Sequence, residues 1–355
     1  MEFLAEYGLF LAKAVTIVVA IGFLIGLVVS AGGKDKHAPR GEIEVRHLNN
    51  DYDEMRDTLK HALLNDVELK AEYKAEKKAA KEKASAEKKA YKSKKESKQE
   101  ATQKKRLFIL DFDGDMKASA TAHLREEISA VLSMAQKDDE VLVRLESGGG
   151  MVHSYGLASS QLARIAAKEI PLTVCVDKVA ASGGYMMACV ADKILAAPFA
   201  IIGSIGVVAQ LPNFNRLLKK NDIDFEMLTA GEHKRTLTMF GENTDKGRAK
   251  FMEDLEDTHA LFKEFVSENR SVVDINAVAS GDVWYGSRAV GVNLVDGLMT
   301  SDEYINGQMD TAEIYSISFE QKKTLPEKLG LAAQHTVDHV VMRWWQRSQS
   351  QRWFT

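Results

Sequence analysis

The chain has 355 residues, with 47 Lys and Arg against 51 Asp and Glu and a formal charge of −4, which excludes a wholly basic nucleic-acid binder and suits about two domains' worth of chain. Hydrophobic residues make up 45% and charged residues 28%, with 24 Gly against 5 Pro, so a packed core is expected and a collagenous or proline-rich chain is excluded. The two cysteines, Cys175 and Cys189, each lie inside an apolar run, leaving neither a disulfide framework nor a zinc spacing.

Ala14 to Ala31 is a run of 18 uncharged, mostly apolar residues, long enough as a helix to cross a bilayer core. The basic n-region of a cleaved signal is missing, and Glu2 and Glu6 stand in its place, so residues 1–32 read as a retained membrane anchor. Lys34, Lys36, Arg40 and Arg46 follow it, a modest bias toward a cytoplasmic C-terminal bulk. Residues 33–106 read as a charged helical or disordered tether. Glu68 to Arg106 alone holds 15 Lys/Arg against 7 Glu, and Asn50 to Arg106 lacks both Pro and Gly. A basic stripe for anionic lipid or nucleic acid is the alternative there.

From Leu107 the texture changes to alternating strands and helices. Leu107 to Phe112, Glu140 to Leu145 and Pro171 to Val176 read as strands, and Ala120 to Ala135, Ser154 to Ala167 and Gly183 to Val190 as the helices that follow them. Strands about 30 residues apart joined by helices predict an α/β core with a parallel sheet. Ile194 to Leu211 is a second apolar run, but Pro198, Gly203 and Gly206 break it, so buried strands and turns are expected rather than a span. Ala249 to Asn269 is an amphipathic helix whose stripe is Phe251, Leu255, Phe262 and Val266. Domain boundaries fall at 107–320 for the core and 321–355 for an amphipathic tail.

Three glycine-rich turns follow strands: Glu146 to Gly150, Ala180 to Tyr185 and Gly203 to Gly206. Such turns aim backbone N–H groups at a phosphate or a developing oxyanion. Neither the dinucleotide fingerprint nor the Walker loop occurs, which disfavours nucleotides. Ser182 precedes Gly-Gly at a strand-to-helix turn, a placement that suits a nucleophile and equally suits a plain helix cap. A serine nucleophile needs a base. Lys234, in the segment TAGEHKRT, serves only if burial beside the serine lowers its affinity for a proton; otherwise it is a surface lysine, with His233 a competing base.

The segments DKVAASGGYMMACVADKI, APFAIIGSIGVVAQ, TAGEHKRTLT and VASGDVWYGSRAV with LVDG resemble the signal peptide peptidase A family of membrane-bound Ser-Lys serine peptidases. The resemblance covers essentially the whole chain. It implies a ClpP/crotonase-like spiral fold, Ser182 as nucleophile, Lys234 as general base, Ser204 orienting the lysine, and backbone N–H groups of Gly183 and of the turn around Gly149 as the oxyanion hole. It also implies ring-like homo-oligomers in which neighbouring protomers complete each site.

Two departures stand out: Gly148 replaces the proline usual in the first glycine turn, and Asn293 alters the usual GLVD to NLVD. The expected activity is hydrolysis of peptide bonds in signal peptides or other membrane-associated polypeptides, with no metal and no cofactor. Expected partners are a peptide or protein substrate, membrane lipid and further copies of the chain, but no nucleic acid. The expected location is the bacterial inner membrane, on either face. A crotonase-type acyl-CoA enzyme and a non-catalytic membrane scaffold with a vestigial dyad are the rival readings. In the C-terminal tail, Trp344, Trp345, Trp353 and Phe354 stand among Arg343, Arg347 and Arg352, which suits contact with a membrane interface or docking on the protein.

Overall fold

The computed structural model describes residues 41–75, 104–231 and 233–321, with scattered positions before residue 86. Apart from those scattered positions, the expected anchor, the lysine-rich middle of the tether and residues 322–355 of the tail fall outside the described residues. Among the described residues, no helix is long and apolar enough to cross a membrane.

The core is a mixed α/β fold built on a largely parallel sheet. Its strands are β1 (Glu42–His47), β2 (Lys105–Gly114), β3 (Glu140–Ser147), β4 (Leu172–Val176), β5 (Val179–Ala181), β6 (Lys193–Ala196), β7 (Ile201–Gly203), β8 (Val283–Tyr285), β9 (Gly297–Leu298) and β10 (Ala312–Glu320). The main path runs β1-β10-β2-β3-β4-β6-β9, and β5, β7 and β8 branch from the end of β3. Helices α1 (Leu48–Leu63), α2 (Thr121–Leu132), α3 (Val152–Ala166), α4 (Gly183–Ala188), α5 (Asn215–Lys220), α6 (Asp245–Asn269), α7 (Ile275–Val278), α8 (Gly286–Ala289) and α9 (Ser301–Gln308) connect them.

Strand β2 shows why the central strands read as apolar runs. Phe108, Leu110 and Phe112 face a large cluster with Leu124 and Ile128 of α2 and Leu162 of α3. Leu107 and Ile109 face a smaller cluster with Tyr304 and Ile305 of α9. A parallel strand covered on both faces loses the polar alternation of a half-exposed one. The run 194–211 resolves the same way, into β6, a turn, β7 and an extended stretch.

The tether reading needs correction at its N-terminal end. Glu42–His47 forms the sheet's outer strand beside β10 rather than part of a free tether. Asn49, at the start of α1, explains the attachment: its Nδ2 donates to the carbonyls of Met309 (3.2 Å) and Ala312 (3.1 Å), and its Oδ1 accepts from the Ile314 amide at 2.8 Å. His47 stacks on Tyr315 at 4.8 Å, and its Nε2 lies 2.8 Å from Glu313 Oε2. The strand is hard to see in sequence because Ile43 and Val45 are exposed, so their alternation with Glu42, Glu44 and Arg46 marks no buried face.

Register carries three strand ends to one place. In the parallel β2–β3 ladder, Gly114 pairs with Ser147; Ser147 then pairs with Ala180 of β5, and Ala181 with Gly203 of β7. The residues just beyond these ends are Gly148 to Gly150, Ser182 and Ser204. Three segments spread over more than fifty residues of sequence thus open side by side, as the C-terminal ends of parallel strands do in α/β proteins generally.

Candidate active site

Ser182 follows β5 and caps α4 with φ 52° and ψ −120°, a left-handed conformation that an L side chain adopts only under strain. Its amide donates to the Gly203 carbonyl at 2.8 Å, and its own carbonyl accepts from the Met186 amide at 3.0 Å, so bonds on both sides hold the turn. All six residues of α4 are buried, which fixes the turn from below. The following amide, that of Gly183, has no hydrogen-bond partner among the described residues.

The first glycine turn packs directly against this one. A methyl at Gly149 (φ +86°) would lie 2.7 Å from the Gly183 nitrogen and 2.8 Å from Ser182 Cβ, so only glycine permits the approach. A chain of hydroxyls holds the turn. Asp115 C=O accepts from Tyr155 Oη at 2.7 Å, Tyr155 Oη shares a 2.6 Å bond with Ser147 Oγ, and Ser147 Oγ accepts from the Gly149 amide at 3.0 Å. The Gly149 N–H is therefore committed. The partnerless amides of that turn, among the described residues, are those of Gly148 and Gly150. Burial pushes the Tyr155 phenol up, keeping this hydroxyl neutral as both donor and acceptor.

A cavity of about 770 Å³ is lined by Ser182, Ser204, the three glycines Gly148 to Gly150, Met116, Gly206 to Val208, Gln210, His259, Ser280 and Gly281. Beside it lies a smaller pocket of about 70 Å³, lined by Ser182 and Gly183 with Val152, Met186, Val207, Val208, Thr258 and Phe262. Ser204 also has a positive φ, 50°, with its amide bonded to the Asp282 carbonyl at 2.7 Å.

The structure thus brings Ser182, Gly183, Gly149 and Ser204 together, and Lys234 does not line their cavity. Lys234 is exposed, its amide bonded to the Gly231 carbonyl at 3.2 Å, in a stretch from 206 to 240 where no described residue is buried. His233 and Arg235 line a separate cavity of about 230 Å³ with Thr236 and Glu242. Among the described residues no group of His, Cys, Asp and Glu could hold a metal ion.

Residues 2–162 match the model of the peptidase family S49 N-terminal region and residues 164–315 that of peptidase family S49. Probable protease SohB of Haemophilus influenzae is 49% identical over 343 residues, covering 97% of this chain and 96% of its own length. The chain belongs to peptidase family S49. A second Probable protease SohB, from Buchnera aphidicola subsp. Acyrthosiphon pisum, is 53% identical over 240 residues, 68% of this chain and 71% of that one. The motif-based resemblance to a serine peptidase family is thereby shown, and this S49 chain is a protease of that family.

One residue of the S49 cavity escaped the sequence reading. His259 stands on the stripe of α6 that runs Phe251, Leu255, His259, Phe262, Val266, at spacings of four, four, three and four. Phe262 and Val266 are buried, which turns the C-terminal half of that face inward. A histidine in register with an apolar stripe was the available signal.

Proposed function

We propose that this S49 protease is a membrane-anchored serine endopeptidase with a Ser-Lys dyad, acting on signal peptides or other membrane-associated polypeptides. Ser182 Oγ attacks the scissile carbonyl and passes its proton to Lys234 Nζ; the tetrahedral oxyanion is held by the Gly183 amide and an amide of the Gly148–Gly150 turn. Lys234 then protonates the leaving amine, and water hydrolyses the acyl-enzyme by the same route. The observation that carries the reading is the strained backbone of Ser182 at a strand-to-helix turn opening on a cavity, with the next amide unpartnered. Such strain persists where the surroundings impose it, and it presents a side chain outward, as at nucleophile elbows.

Ser204 belongs to the reading as the hydroxyl that orients the lysine. The mostly apolar pocket of about 70 Å³ beside Ser182 favours a small apolar side chain next to the scissile bond. The dyad requires a second copy of the chain, since Lys234 is exposed in the protomer. Apolar side chains crowd the same stretch: Val208 is 81% exposed and Leu228 94%, surface that a neighbouring protomer in a ring would cover. The strand path and the β5-β7-β8 branch accord with a ClpP/crotonase-like spiral, preceded by an anchor at residues 14–31 in the bacterial inner membrane.

The test is covalent. A fluorophosphonate probe should label the detergent-solubilised full-length chain at Ser182, and S182A should abolish both labelling and peptide hydrolysis. K234A should abolish hydrolysis, whereas H233A should retain it. An unlabelled wild-type chain would favour a scaffold, and turnover of acyl-CoA that survives S182A would favour crotonase chemistry.

A further inference from the structure

Tyr155, in the first turn of α3, lines neither cavity at Ser182, yet it touches each of the segments that would form the oxyanion hole. Its ring is buried, edge-on to Phe112 at 6.5 Å, and backs Gly183, where a methyl would fall 2.4 Å from Cγ and 2.7 Å from Cδ2. Its hydroxyl reaches the first glycine turn through Ser147, which is also buried. The same hydroxyl reaches Asp115, whose neighbour Met116 braces the other side of that turn. The Met116 carbonyl accepts from the Met151 amide at 2.9 Å and would lie 2.1 Å from a methyl on Gly150.

A carbonyl only accepts and a hydroxyl carries one proton, so the bonds can be ordered. Tyr155 Oη donates to the Asp115 carbonyl at 2.7 Å and must therefore accept from Ser147 Oγ across 2.6 Å, while Ser147 Oγ accepts from the Gly149 amide at 3.0 Å. A competing acceptor for the Ser147 proton, the Gly114 carbonyl, lies farther off at 3.3 Å. Bonds that run one way polarise one another, and the low dielectric of a buried chain makes a missing member costly. We infer that Tyr155 is a positioning residue of the peptidase: its ring seats Gly183, and its hydroxyl, through Ser147, holds Gly149, which sets the spacing between the Gly183 amide and the neighbouring amide of the glycine turn that receive the oxyanion. This rests on the peptidase reading. The Gly149 N–H is consumed by Ser147 and cannot serve the oxyanion itself; its bond orients the amides on either side. A displaced oxyanion donor weakens the transition state more than it weakens bound substrate, so the effect belongs in kcat.

The experiment compares wild type, Y155F, S147A and the double variant in the detergent-solubilised full-length chain. Y155F keeps the ring against Gly183 and removes only the hydroxyl; S147A removes the acceptor of the Gly149 amide. The readouts are kcat and KM for an internally quenched decapeptide with an alanine-rich centre, and the rate and final extent of Ser182 labelling by a small fluorophosphonate. The extent counts intact sites, so every rate is expressed per labelled serine. Y155F should keep KM within about twofold and lose about tenfold in both kcat and labelling rate, less than for a deleted oxyanion donor because the amide is displaced and not removed. S147A should lose a similar factor, and the double variant should be no more than about twofold worse than the weaker single, since both break one chain. A wild-type kcat and labelling rate per site in Y155F overturns the inference. Losses that multiply to about 100-fold in the double variant overturn it, and so does a loss confined to the extent of labelling, which a purely structural role would give. Should Y155F not fold, S147A decides alone, and a wild-type rate per site there overturns the inference. Failure of the wild-type chain to label removes the peptidase reading and this inference with it, an outcome distinct from all of these.

Discussion

If the backbone of Ser182 is strained for the sake of its hydroxyl, removing the side chain should make the protein more stable while destroying its activity. The test is S182G against S182A. With φ at 52° and ψ at −120°, the Cβ of residue 182 sits where only glycine is comfortable. A residue held in such a region costs about 1–3 kcal/mol. Glycine recovers that strain but adds about 0.5–1 kcal/mol of unfolded-chain entropy. Taking about 2 and subtracting about 1 leaves S182G more stable by about 1 kcal/mol. Alanine keeps Cβ, hence the strain, and S182A should lie within about 0.5 kcal/mol of wild type. For a folded unit that runs from Ile43 to Phe319, 1 kcal/mol corresponds to about 2 °C in Tm, within reach of calorimetry. Urea melts should show a higher midpoint at unchanged slope. An S182G variant less stable than S182A would mean that the positive φ is not strained, and the claim that the fold holds this serine against its own preference would fall.

Two further outcomes follow from the packing. In G183A the new methyl would lie 2.4 Å from Cγ of Tyr155, a buried ring tied by its hydroxyl to Ser147 and Asp115; overpacking should cost about 1–3 kcal/mol in urea melts and displace the Gly183 amide, lowering kcat/KM by about 100-fold or more. Wild-type turnover in G183A would remove that amide from the oxyanion hole. Glu127 is buried, with Oε1 accepting from the Phe319 amide at 2.9 Å and Oε2 without a partner among the described residues, and burial holds its carboxyl above the usual range. A raised acid contributes stability that is present at low pH and lost as pH rises through its folded value. E127Q should therefore raise Tm near pH 7, with the advantage shrinking as pH falls toward 4; a pH-independent difference would contradict the assignment.

Much of the fold was legible because its central strands are covered on both faces. LFILDF, EVLVRL and PLTVCV are apolar for a reason the sheet makes explicit, and they became β2, β3 and β4 with ends shifted by a few residues. Strand β1 was not legible: its attachment depends on Asn49 bonding to Met309, Ala312 and Ile314, about 260 residues away, and no local pattern reports that. At the site, the three glycine turns could be found by composition, but their convergence is a matter of register, Ser147 with Ala180 and Ala181 with Gly203. The commitment of the Gly149 amide to Ser147 Oγ depends on a side-chain rotamer and could not be read in advance. His259 was within reach, since it falls in phase with the apolar stripe Phe251, Leu255, Phe262 and Val266.

The two halves of the proposed dyad are supported very differently by the fold, and the difference bears on how such an enzyme could work. Ser182 stands on buried α4, against Gly149, over a tyrosine locked by two hydrogen bonds, so its position is set before any substrate arrives. That is preorganisation, and it is what oxyanion stabilisation needs. Lys234 stands in a stretch whose local order comes from its own aromatic contacts, Phe214 with Phe240 at 6.1 Å and Phe225 with Phe240 at 5.8 Å, and no described residue there reaches the core. A lysine acts as a general base only in its neutral form, which water disfavours. Burial can shift that balance, and a surface lysine has none. If Lys234 is the base, the reaction is therefore gated by whatever covers residues 206 to 240. A peptidase arranged in this way carries a rigid nucleophile in every copy and becomes active only where its base has been brought out of water.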